Sequence, residues 1–306
     1  MPPLPVTYVV GSSHSGSTLL ARLASQHPDV ATVGETAVKP RIRREGRASS
    51  QRCSCGETLA ACAFWQAIFD EVSSAGVRFD ADHWSTDYRF EAAWLDAALT
   101  RETSWFALRR ARRWATHHLP WLRGRTARVD RANVAFVKAV LRRTGARVFF
   151  DTSKLLTRLS YLLDLPSFQV NVIRLVRDAR GVAGSAKRRG ESPLDATSVW
   201  LNDQRAIERV LAHTVAAPTL TVRYEDLCEH PAATLERVWR HCGVEPIDVS
   251  TAAQPRALHV LGNRMRMGTT IEVRLDDAWR ALLGTDDERA VLQMAGTMNE
   301  RLGYVR

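Results

Sequence analysis

The chain has 306 residues, 45% of them apolar, which is enough to bury a sizeable core in one large α/β unit or two small ones. It contains no apolar run long enough for a transmembrane helix, and the N-terminal MPPLPVTYVV lacks the basic and long apolar regions of a signal peptide, so a cytoplasmic protein is expected. Lys and Arg number 43 against 33 Asp and Glu, a net charge of +10 that calls for anionic partners, and five cysteines do not suit a secreted disulfide scaffold.

In chain order, Val6 to Val10 reads as a short buried strand, followed by the Gly/Ser-rich GSSHSGST and a helix with Leu19, Leu20, Leu23 and Ala24 on one face. DVATVGE is extended, and 36–62 reads as a polar, arginine-rich loop. Residues 63–124 carry a helical pattern rich in Trp and Arg, with the tryptophans of SWFALRRARRWATHHLPWLRGR expected mainly in the core. A helix ending at Gly145 follows, then the strand ARVFFD and the helix KLLTRLSYLLDL. FQVNVIRLVRD is a strand, with helices around 179–189 and 193–213 after it. TLTVRYEDL reads as a strand, PAATLERVWRHCG as a helix opened by Pro231 and closed by Gly243, and a last helix spans about 286–302. Strands alternating with helices predict an α/β fold with a doubly wound parallel sheet, a single domain over 1–306. The mainly helical insertion 36–145 is the candidate substrate cap.

GSSHSGSTLL has the frame of a phosphate-binding loop, G-x-x-x-x-G-K-[ST], with Ser17 where the lysine belongs. Gly11 and Gly16 permit the loop dihedrals, and backbone N–H groups at the following helix start favour an anion. Ser13, Ser15, Gly16, Ser17 and Thr18 are the candidate donors. Without the lysine, the loop suits a 5′-phosphate group better than a magnesium-held triphosphate. A second candidate anion site lies in RLVRDARGVAGS: Arg177 ends a strand, Ser185 stands about two helical turns on, and Arg180 is a further cation nearby. Arg177 can fork onto a phosphate while Ser185 donates its hydroxyl.

Together, SHSGSTLL and VRDARGVAGS resemble the 5′-phosphosulfate loop and 3′-phosphate site of sulfotransferases that use 3′-phosphoadenosine 5′-phosphosulfate (PAPS). HPDVATVGET resembles the stretch carrying the catalytic glutamate of tyrosylprotein sulfotransferases, and LTVRYEDLCEHPAATLERVWRHCGV, CSCGETLAACAFW and GNRMRMG resemble segments of the carbohydrate and tyrosylprotein-like bacterial members. The resemblance covers 1–35 and about 147–270. It implies a P-loop-kinase-like topology, PAPS as co-substrate with PAP as product, no metal, and an acceptor hydroxyl on a carbohydrate, glycolipid, small metabolite or tyrosine. A lipid acceptor would bring peripheral membrane contact.

The resemblance makes Glu35 the candidate general base. His14 stands where many members carry Lys or Arg. It either supports the leaving group as an imidazolium or is itself the base with Glu35 orienting it. Lys154, in DTSK, either neutralises the transferred sulfonate or is a helix-start lysine. Arg264 and Arg266 are candidates to close the phosphate site. Cys53, Cys55 and Cys62 lack a clear fourth ligand in the sequence and are expected as a local disulfide or buried thiols. The rival readings are a P-loop small-molecule kinase, which the missing lysine disfavours, and a non-enzymatic binder of RNA or anionic lipid. No nucleic-acid motif supports the RNA reading, and no nucleic-acid partner is expected.

Overall fold

A computed structural model describes residues 2–36, 51–90, 114–115, 118–212, 217–248, 259–261, 271 and 273–304. The apolar segments become five strands: β1 (Leu4–Val10), β2 (Val30–Gly34), β3 (Val148–Asp151), β4 (Phe168–Val176) and β5 (Thr219–Arg223). They form one all-parallel sheet in the order β2-β3-β1-β4-β5, in agreement with the expected P-loop-kinase-like topology. Val9, Phe150, Ile173 and Leu175 on one face and Tyr8, Val10, Phe149 and Val172 on the other are fully buried, as strands covered by helices on both faces require.

Helix α1 (Ser17–Ala24) follows the loop after β1, while α2 (Ala63–Ser74) and α3 (Pro120–Thr144) lie between β2 and β3. Helix α4 (Leu156–Asp164) links β3 to β4, and α5 (Ala179–Arg188) and α6 (Pro193–Ala212) link β4 to β5. After β5 come α7 (Tyr224–Glu229), α8 (Pro231–Cys242), α9 (Trp279–Leu282) and α10 (Thr285–Arg301). Pro231 opens α8, and Gly145 and Gly243 close α3 and α8 in the left-handed conformation, as their sequence positions predict. Among the described residues no helix is long and apolar enough to cross a membrane.

Four expectations need correction. YEDL does not extend β5: Tyr224 starts α7, because Tyr224 and Leu227 turn inward at helical spacing. Residues 75–90 are turns and bends rather than helix, bridged where Asp80 meets His83. Trp65 and Trp84 are core, but Trp114 and Trp121 stand 60% and 54% exposed, so the aromatic–arginine stretch does not bury these two rings. Finally, the cysteines do meet a fourth potential ligand: Cys53, Cys55 and Cys62 are free thiols rather than a disulfide, Cys53 and Cys62 buried as the second of the two expectations had it, and the chain brings His259 to them from far along the sequence. Arg264 and Arg266 lie outside the described residues.

Candidate active site

The site gathers at the carboxyl ends of β1, β2, β3 and β4, where an open parallel sheet leaves its crevice. The loop after β1 turns through His14 (φ 64°) and Gly16 (φ 91°), both left-handed. Gly16 is required: a Cβ there would stand 2.4 Å from the Tyr224 ring. Ser15 Oγ donates to Ser12 O across 2.8 Å, holding the turn closed. Gly16 caps α1, so the N–H groups of Ser17 and Thr18 open the helix and face the loop. Ser15 and Ser17 are buried within the cradle, while Ser13 and His14 reach the surface.

The ammonium that position 17 lacks arrives from another strand. Lys154, just after β3 and also left-handed (φ 62°), donates from Nζ to Ser17 Oγ at 2.9 Å. The same Nζ is 3.3 Å from Glu35 Oε1. Lys154 is not part of a helix, since α4 begins only at Leu156 with Leu155 as its cap. The turns holding Glu35 and Lys154 are laced together: Thr36 N donates to Ser153 Oγ at 2.9 Å, and the Thr36 hydroxyl meets Ser153 Oγ at 2.7 Å. Beneath them, Asp151 pairs with Arg158 at 2.8 Å in full burial. The Asp151 charge raises the Arg158 pKa against the desolvation that works to lower it.

Arg177, at the end of β4, is buried and occupied. Its Nη1 donates to His14 O at 3.0 Å, its Nη2 reaches the Asp276 carboxylate at 3.1 Å, and its guanidinium lies over the Tyr224 ring. Arg188 also binds Asp276, at 2.5 Å. Desolvation pushes the Asp276 pKa up, but bonds from Arg188 and Arg177 leave it below the usual carboxylate value. A carboxylate between two guanidiniums occupies the kind of niche that receives an anionic oxygen group. Arg180 does not join it: it turns to Asp178 at 2.7 Å and stacks on Trp279.

Ser185 does lie near the loop, joined to it by a residue the sequence did not single out. Arg189 Nη1 donates to Ser185 Oγ at 3.1 Å and to Ser185 O at 2.8 Å, and lies 3.4 Å from His14 Nδ1. Although His14 reaches the surface, desolvation of its ring and then the Arg189 charge hold its pKa below the ordinary histidine value. Glu191 opposes this, while Lys154 and Arg177 add to it. A second missed residue is Asp203 on α6. Burial pushes it up to about 6, against a Ser12 hydrogen bond and the Lys154 charge. Both were hidden in helix-surface patterns that ordinary solvated charges share, and no local motif marks them.

The arrangement can therefore hold an anion in the loop, place an ammonium at its edge, and present a carboxylate to a hydroxyl beside it. The model of the sulfotransferase family matches residues 5–248, a span that includes the loop, Glu35, Lys154 and Arg177. The sulfotransferase domain from the Synechococcus PCC 7002 olefin synthase superposes with a TM-score of 0.56 at 21% identity, covering 97% of this chain and 95% of that one. The sulfotransferase domain from the curacin biosynthetic pathway superposes at 0.54 and 19% identity, covering 99% and 98%. These two likenesses show the fold. The curated proteins searched gave no match. The family match runs through both the sheet and the residues that converge on the loop: this chain belongs to the sulfotransferase family and is a sulfotransferase.

Proposed function

We propose that the protein transfers a sulfuryl group from PAPS to an acceptor hydroxyl and releases PAP. The observation that carries this reading is the Lys154 ammonium, which bridges Ser17 of the loop and the Glu35 carboxylate. It supplies the cation missing from position 17 and brings donor cradle and candidate base within one ammonium's reach.

In this reading the loop N–H groups, that of Ser15 among them, and the hydroxyls of Ser13, Ser17 and Thr18 hold the 5′-phosphosulfate, while the Ser15 hydroxyl stays on Ser12 O and keeps the turn closed. Arg177 and Ser185 hold the 3′-phosphate, and Arg264 and Arg266 close that site. The niche between Arg177 and Arg188, now filled by the Asp276 carboxylate, suits such an anion. Glu35 accepts the acceptor's proton as its oxygen bonds to sulfur. The bond from sulfur to the bridging phosphate oxygen breaks, and Lys154 with His14 offsets the charge growing on that oxygen. Residues 36–145 form the cap over the acceptor in this single-domain reading. The acceptor is a carbohydrate, glycolipid, small metabolite or tyrosine hydroxyl, and the reaction runs in the cytoplasm.

Transfer from labelled PAPS to a panel of these hydroxyl acceptors tests the reading, alongside melting with PAP and with ATP–magnesium. PAP should raise the melting temperature in proportion to its occupancy, and label should move to at least one acceptor class. Stabilisation by ATP–magnesium but not PAP, with phosphate rather than sulfate transferred, would favour the kinase reading instead.

A further inference from the structure

We propose that Cys53, Cys55, Cys62 and His259 bind a zinc ion that is structural rather than catalytic. Their four ligand atoms lie within 4.8 Å of one another. Cys55 Sγ is 3.6 Å from Cys62 Sγ, and His259 Nδ1 is 3.4 Å from Cys53 Sγ and 3.3 Å from Cys62 Sγ. A tetrahedral zinc with bonds of about 2.3 Å to sulfur and 2.0–2.1 Å to nitrogen sets its ligands roughly 3.5–3.8 Å apart. The three measured edges fall close to that figure. A disulfide needs its sulfurs at about 2.05 Å, and an iron–sulfur cluster distributes its ligands over separate irons. The tight span therefore selects a single ion, and three thiols with one imidazole select zinc among the divalent metals.

The surroundings are built for these four side chains. Cys53 N donates to Glu57 O at 2.8 Å, Gly56 N donates back to Cys53 O at 3.0 Å, and Gly56 turns at φ 95°, so the tight turn brings Cys53 and Cys55 together. Cys62 sits just before α2. His259 comes from a segment far away in sequence and is fixed there twice. Phe64 stacks on its ring at 4.4 Å with 4° between planes, and Val260 N donates to Ser54 Oγ at 2.8 Å. The stack and the backbone bond fix the ring beside the thiols, so little ordering is left for the ion to impose. Cys53 and Cys62 are buried and Cys55 is exposed, which leaves the ion a way in.

With four protein ligands the site has no open position for water or substrate. Its effect is to clip two distant parts of the chain. Leu261, two residues past His259, pairs with the end of β2: Leu261 N donates to Val33 O at 2.8 Å, and Glu35 N donates to Leu261 O at 3.3 Å. Gly34 is needed at that junction, since a Cβ would stand 2.0 Å from Leu261 O. The ion thus fastens the cysteine turn and α2 to the strand end from which Glu35 departs.

The test is metal analysis of the full chain purified with reductant and zinc in the medium, then cobalt exchange. A single zinc per chain that survives dialysis, and a cobalt form with the absorption of thiolate-ligated tetrahedral cobalt, are expected. Cys55→Ser, at an exposed position, should weaken zinc binding at least tenfold and lower the melting temperature. His259→Ala should do the same, whereas His259→Cys should restore the metal. These readouts are independent of sulfuryl transfer. Metal-free protein with no cobalt spectrum would overturn the proposal. So would an intact mass showing a Cys55–Cys62 disulfide in freshly purified protein, or unchanged zinc content in both ligand deletions.

Discussion

Lys154 Nζ donates to Ser17 Oγ across 2.9 Å, so a cation from the end of β3 fills the place where a phosphate-binding loop ordinarily carries its own lysine. The consequence is a relocated charge. Lys154→Ala should lower turnover about 10²–10³-fold, the loss that follows removal of a group aimed at developing charge. Ser17→Lys alone should not improve the enzyme, because its ammonium would meet that of Lys154. The pair Ser17→Lys with Lys154→Ala should recover part of the loss. Steady-state kinetics and PAP calorimetry on the three variants check this. Full activity in Lys154→Ala would remove Lys154 from the chemistry.

Glu35→Gln should cut turnover about 10²–10⁴-fold with PAP affinity nearly unchanged, as expected for a base that touches the acceptor rather than the donor. Near-normal turnover in a folded Glu35→Gln protein would move the base elsewhere, first to His14.

His14 offers a signed pH test. In the ligand-free protein its pKa lies below the ordinary value of about 6.5, through desolvation and the Arg189 charge. It is then neutral at pH 7, and Arg189→Met should raise its midpoint in an NMR titration. Anionic donor groups should pull the pKa upward, so PAP binding should take up protons near neutrality, measurable by calorimetry in buffers of different ionisation enthalpy. If His14 supports the leaving group, activity falls as pH rises through the donor-bound pKa, and His14→Lys flattens that limb. If His14 is the base, activity rises with pH, and His14→Lys is nearly inactive.

Asp276 holds both Arg177 and Arg188. A phosphate entering their niche must displace it. Asp276→Asn should tighten PAP about three- to tenfold, up to about 1.4 kcal/mol, and leave 5′-AMP affinity unchanged. Calorimetry with both ligands decides the point. Equal changes for the two would mean that the niche does not read the 3′-phosphate.

Asp203 is pushed up to about 6 by burial, despite the Ser12 hydrogen bond and the Lys154 charge. Its folded pKa exceeds the unfolded value of about 3.9, so the native state binds the extra proton. Stability from this group is greatest below about pH 4 and is lost as pH rises through about 6. Asp203→Asn should therefore stabilise the protein at pH 7–8, on the order of 1–2 kcal/mol after allowing for partial solvent screening, and do little at pH 4. Urea denaturation at the two pH values checks it.

Much of the fold was written locally. The strand periods, Pro231 at a helix start, and Gly145 and Gly243 at helix ends are short-range chemistry, and β1 to β4, the end of α3 and the whole of α8 appear where that chemistry puts them. So is the loop from Gly11 to Thr18, whose spacing and glycines are read from one stretch of chain. The fate of YEDL was not legible this way, because β-propensity and helical burial compete over so few residues.

What the tertiary structure alone decided are the meetings between residues far apart in the chain. Ser17 read as a missing charge; only the parallel pairing of β1 with β3 brings Lys154 to it. Arg189 and Asp203 look like ordinary helix charges until α5 and α6 pack over the loop. The three cysteines lacked a fourth ligand until Leu261 paired with the end of β2 and delivered His259. Local sequence encodes dihedral preference and burial, which act over a few residues. Charge and ligand geometry act through space, and the neighbours they need are set only once the sheet order is formed.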